Sequence, residues 1–98
     1  MNSVLAEILA TNAITLPDGT IAPLHSHIPA FECRLMQHWI REYGCRRLIE
    51  IGLAYGISSL FICDAIADQP DTLYHIIDPH QQRNWQGMGL QHLCKAGY

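Results

Sequence analysis

Two carboxylates and one glycine-bearing turn carry the chemistry this chain offers. Glu50 sits near the end of a short branched apolar run, Arg47-Leu48-Ile49-Glu50-Ile51, and Gly52-Leu53-Ala54-Tyr55-Gly56 turns the chain into a helical pattern that starts at Ile57. Asp78-Pro79 closes a second run, Leu73-Tyr74-His75-Ile76-Ile77. Glycine has no Cβ, so it takes positive φ and lets a ligand approach the backbone, while the first N–H groups of the following helix have no partner within it. Asp78 falls about 20 residues after the turn, the separation at which a carboxylate in a nucleotide-binding β-α-β unit accepts hydrogen bonds from ribose hydroxyls. A carboxylate there prefers a free diol to a phosphate.

Other reactive residues form weaker constellations. His25-Ser26-His27 puts two imidazoles close together with Cys33 soon after, but a zinc site needs about four ligands and no second pair completes one, so the reading is a polar loop and no metal. Ser58 is not in a G-x-S-x-G elbow, which leaves a serine hydrolase unsupported. His80 lies next to the expected ribose position without a partner that defines a role.

The elements that must place these groups follow from periodicity. The Arg47 run reads as a strand buried on both faces, Ile57 to Ala67 as a helix ended by Asp68-Gln69-Pro70-Asp71, and the Leu73 run as a second strand that Pro79 stops. Crossovers between parallel strands are right-handed, so both strand ends and the helix N-terminus open onto one edge. Pro29 to Tyr43 predicts a helix whose stripe of Phe31, Leu35, Met36, Trp39, Ile40 and Tyr43 is a core face, with Gly44 as C-terminal cap. This helix and the Ile57 helix are expected to cover the two faces of the sheet. Upstream, Val4, Leu5, Ile8 and Leu9 predict a short helix capped by Ser3, and Pro17-Asp18-Gly19 predicts a hairpin between Ile14-Leu16 and Thr20-Ala22. Downstream, Trp85 to Ala96 reads as one helix; Gly87 and Gly89 inside it imply the close approach of a ligand or of another backbone.

Composition narrows the class. With 49% apolar and 15% charged residues the chain folds rather than staying disordered, and a net charge of -3 gives no basic surplus for nucleic acid. No apolar run reaches the roughly 18 residues of a membrane span, and Glu7 interrupts the N-terminal segment, so no signal peptide is read. Cys33, Cys45, Cys63 and Cys94 lack paired spacing, which fits a reduced, cytoplasmic protein.

Glu50-Ile-Gly-Leu-Ala-Tyr-Gly-Ile-Ser-Ser followed by Ile77-Asp78-Pro79 resembles the first two motifs of class I S-adenosylmethionine-dependent methyltransferases. Leu16-Pro-Asp-Gly-Thr, Pro23-Leu-His-Ser and Trp85-Gln-Gly-Met-Gly-Leu through Ala96-Gly97 are similar to flanking segments of small-molecule O-methyltransferase-like members. The resemblance implies an α/β fold: a partial Rossmann-like methyltransferase sheet, with a β-α-β-α cofactor-binding core over 46–98 preceded by an N-terminal helix, a hairpin and an amphipathic helix over 1–45. It implies S-adenosyl-L-methionine as cofactor, contacted by Glu50, Gly52, Ala54, Tyr55, Gly56, Ser58, Asp78, Pro79 and Trp85, with Gly52, Ala54 and Gly56 along its methionine part. Ala54 stands where many members have glycine. The resemblance also implies strands beyond the two found here, and with them the catalytic base and the contacts to a small-molecule acceptor. This chain is therefore expected to be the cofactor-binding half of an enzyme, with open sheet edges through which two copies pair. The alternatives are a nicotinamide-dependent short-chain-type reductase, for which no Tyr-x-x-x-Lys pair is present, and a non-catalytic interaction module.

Overall fold

The computed structural model describes residues 1–98. Nine elements follow in order: α1 (Ser3–Thr11), β1 (Ala13–Thr15), β2 (Ile21–Pro23), α2 (Ala30–Glu42), β3 (Arg47–Ile51), α3 (Ile57–Ile66), β4 (Leu73–Ile77), α4 (Gln81–Trp85) and α5 (Met88–Lys95). Strands β1 and β2 form the expected antiparallel hairpin, with Ile14 opposite Ala22. Strands β3 and β4 pair in parallel from Arg47 opposite Leu73 to Ile51 opposite Ile77, joined by α3. No helix is long and apolar enough to cross a membrane.

The core is organised around α3, not around the sheet. Ile57, Ser59, Leu60, Phe61, Ile62, Cys63 and Ala65 are all buried, as a helix surrounded on most sides requires. Leu5 and Ile8 of α1, Ile14 of the hairpin, Cys33 of α2, and Met88 and Leu93 of α5 join Leu60 and Phe61 in one apolar cluster. Residues 1–45 are therefore packed into the same core as residues 46–98. At the chain ends, Asp64 accepts from the backbone and side-chain nitrogens of Asn2, each at 3.1 Å, and from the Tyr98 hydroxyl at 2.6 Å. Both termini are tied to α3 by one carboxylate.

Five expectations are corrected. Neither strand is buried on both faces: along β3 and β4 burial alternates, with Leu48, Glu50, Tyr74 and Ile76 turned toward the helices and Ile49, Ile51, Leu73 and Ile77 exposed. Helices α2 and α3 do not divide the sheet faces between them; Ile40 of α2 and Ile62 and Ala65 of α3 meet Leu48 and Tyr74 on the same side. In α2 the buried residues are Cys33 and Ile40, so Phe31, Leu35, Trp39 and Tyr43 face outward. Finally, the predicted Trp85–Ala96 helix is split into α4 and α5 by Gln86 and Gly87, both at positive φ, and α1 is capped by Asn2, whose Oδ1 accepts from Leu5 N–H at 2.8 Å, rather than by Ser3.

Candidate functional site

The site forms where β3 ends. Gly52 (φ 89°), Ala54 (φ 51°) and Gly56 (φ 88°) all take left-handed conformations, which lets five residues reverse the chain into α3. Gly56 has a second reason to be glycine: a Cβ there would lie 3.2 Å from the carbonyl oxygen of Gly89. Gly89 is tighter still, since its Cβ would meet the Ala54 carbonyl oxygen and Leu53 Cγ at 2.5 Å each. The close approach signalled by Gly89 is thus to the turn itself, whereas Gly87 lies against the Gln82 side chain.

Asp78 and Gln81 hold this turn from behind. Asp78 Oδ2 accepts from Leu53 N–H at 3.0 Å and Ala54 N–H at 3.1 Å, and its Oδ1 accepts from His80 N–H at 3.0 Å. The buried Gln81 amide donates to the Ala54 carbonyl and to Asp78 Oδ2, while its oxygen accepts from Gly89 N–H at 2.8 Å. Desolvation pushes the Asp78 carboxyl upward, but the N–H groups of Ala54, His80 and Leu53 and the Gln81 amide outweigh it and hold the group below the usual carboxylate range. Gln81 is a residue that sequence reasoning missed, because its partners lie on three separate segments.

Glu50 points to the helix side. Its carboxylate accepts from Ser58 Oγ at 2.6 Å, from Ser59 Oγ, and from the Tyr74 hydroxyl at 2.8 Å. It thereby fastens the first turn of α3 to both strands. Burial raises the Tyr74 hydroxyl well above its ordinary value, and the neighbouring Glu50 charge adds to the effect.

On the open side of the turn lies a cavity of about 230 Å³ lined by Glu50 to Ser58 and, opposite them, by His25 to Ile28 and Met36. The first three N–H groups of α3, on Ile57, Ser58 and Ser59, have no hydrogen-bond acceptor within the chain. Of the nine residues expected at the site, the fold brings Glu50, Gly52, Ala54, Tyr55, Gly56 and Ser58 to this cavity. Asp78 stands behind the turn, Pro79 is exposed beyond β4, and Trp85 packs edge-on against Tyr55 with ring centres 4.9 Å apart.

The His25 segment is the larger omission from the sequence reading, which took it as a polar loop. His25 Nδ1 lies 2.9 Å from Ser26 Oγ, and Nε2 lies 3.4 Å from the Tyr55 hydroxyl; the ring also rests against Trp85. Both partners are hydroxyls that can donate or accept, so either imidazole tautomer is accommodated. Ser26 itself has φ 60°, a left-handed conformation uncommon outside glycine and found at sites that hold a side chain in a fixed place. A second histidine, His92, is buried under the turn with Nδ1 2.7 Å from the Tyr55 carbonyl oxygen. A carbonyl only accepts, so this nitrogen carries the proton, and burial holds the imidazole below its usual pKa and hence neutral.

Set beside known proteins, the chain matches no family model, and no curated protein is recognisably similar to it.

Proposed function

We propose that this chain is the cofactor-binding half of an S-adenosylmethionine-dependent methyltransferase that acts, when complete, on a small-molecule acceptor. The observation that carries the reading is the cavity at the end of β3, where a glycine turn meets the unpartnered N–H groups of Ile57 and Ser58 at the start of α3. Its 230 Å³ is below the roughly 300–1,000 Å³ of sites that enclose a whole ligand, so it has room for the amino-acid end of the cofactor and not the nucleoside. The N–H groups at the start of α3 are suited to a carboxylate, aided by the helix dipole. Glu50 retains acceptor capacity for an ammonium beside its three hydroxyl partners, because a carboxylate has about four lone-pair sites. Asp78 has most of its acceptor sites filled by the turn, so one free position on Oδ1 remains for a ribose hydroxyl rather than a bidentate diol contact.

The cofactor supplies an electrophilic methyl carbon on a sulfonium. What the protein must add is an acceptor held in line behind that carbon and a group that takes its proton. Both would come with the strands that the resemblance implies beyond β3 and β4.

Titrating S-adenosylhomocysteine and NAD(H) separately into the purified chain tests the reading. Binding of the first and not the second is expected, and Gly52→Val should abolish it, since a branched side chain would enter the cavity from a φ of 89°. No S-adenosylhomocysteine binding by folded wild-type protein, or preference for NAD(H), would reject it.

A further inference from the structure

Helix α2 presents an apolar ridge to solvent. Phe31, Leu35, Trp39 and Tyr43 are spaced four residues apart and are 68%, 46%, 52% and 76% exposed. Residues at i±4 form one continuous row on a helix surface, and such rows interlock with the same rows of a second helix in the commonest class of helix packing. Nothing in the chain covers this row.

Beside it runs a second i±4 row, Arg34, His38 and Glu42, also exposed. It is positive toward the N-terminal end and negative toward the C-terminal end. Arg34 and Glu42 are about 12 Å apart along the axis, too far to pair with each other, and the chain's one ion pair joins the N-terminus to Asp64 instead. A two-fold axis crossing α2 near His38 reverses the order of both rows. It sets Leu35 against Trp39 and the Phe31 end against the Tyr43 end, and it brings Arg34 of each copy to Glu42 of the other. The apolar row is centred at Gln37 and the charged row at His38, and because the axis reverses the order this one-residue offset becomes a register difference of about 3 Å across the dimer, which the long Arg34 and Glu42 side chains absorb. The pattern is self-complementary, as an isologous interface requires.

We propose that α2 is a homodimer interface in which two copies pack antiparallel through the Phe31-Leu35-Trp39-Tyr43 ridge, with Arg34 and Glu42 exchanged as ion pairs at either end. One helix of 13 residues offers less than the roughly 800 Å² per partner of a standard interface, so the association is weak and concentration-dependent. This inference does not depend on the function proposed above.

Sedimentation velocity over a concentration series, with charge reversals, provides the test. Wild-type protein should pass reversibly from monomer to dimer. Arg34→Glu alone and Glu42→Arg alone each place like charges opposite one another and should weaken dimerisation by roughly tenfold or more. The double variant, Arg34→Glu with Glu42→Arg, restores opposite charges only across the dimer and should recover wild-type association. Because both positions are exposed and unpaired within the chain, the variants should keep the wild-type circular dichroism spectrum. A monomer at every concentration, or self-association that the reversals leave unchanged, as sheet-edge pairing would, overturns the proposal.

Discussion

Asp78 and Ala54 show how much of the turn's behaviour rests on single residues. The Asp78 carboxylate accepts from three backbone N–H groups, so Asp78→Ala should destabilise the chain by about 1.5–3 kcal/mol, the range for hydrogen bonds to a charged group, besides weakening any ligand. Asp78→Asn keeps an acceptor oxygen and should fall between; equal melting temperatures for wild type and Asp78→Ala would remove the carboxylate from its role in the turn. Ala54 at φ 51° carries the strain of an L-residue in the left-handed region, worth about 1–2 kcal/mol. Ala54→Gly relieves it at the expense of a freer unfolded chain, so a net gain of up to about 1 kcal/mol in denaturant titration is expected. His92 adds a pH dependence. Its folded-state pKa lies below the ordinary 6.5, so the unfolded chain binds the proton more readily, and the stability from the neutral ring is present above pH 6.5 and lost on acidification. Asp78 and Asp64, both held low in the folded state, add a further loss below about 3.8. Thermal melts should therefore show a first decline starting near pH 6.5 that is absent in His92→Gln.

At the scale of elements, the contact between the glycine turn and α5 fixes the site. A Cβ on Gly89 would stand 2.5 Å from a backbone carbonyl that cannot rotate away, so Gly89→Ala should cost about 1–3 kcal/mol and displace the turn. Wild-type stability in that variant would show that α5 yields instead. The strand-turn-helix-strand order of residues 47–77 was legible in sequence because each piece is specified locally, by a branched run, a glycine pair and a Pro or Asp stop. Helix α2 was legible as a helix but not in its orientation. Periodicity identifies an apolar face without saying which side is buried, and here small Cys33 and branched Ile40 go inward while Gln37 reaches the Phe61 carbonyl at 2.6 Å. The break before α5 was hidden because Gln86 is not a usual left-handed residue. The return of His25 to the turn and the Gln81 bridge are products of tertiary packing. No local pattern announces them.

For the whole molecule the consequential fact is what the helices leave uncovered. With α2 and α3 on one side of the two-stranded sheet, the other side presents Ile49, Ile51, Leu73 and Ile77 to solvent, and both sheet edges keep unpaired backbone groups. Contiguous apolar surface next to open strand edges favours association between chains. The free protein gains nothing from these side chains in its own core. Ile49→Thr with Ile51→Thr keeps the branching that suits a strand, so the pair should leave the denaturant midpoint unchanged within about 0.5 kcal/mol while raising the concentration at which the protein aggregates. Leu48 is the control: it faces Ile40 and Ile62, and Leu48→Ala should cost about 2 kcal/mol or more. If the outward isoleucines proved as costly to replace as Leu48, the face would be covered in solution, and the sheet would have to be described together with whatever lies on it.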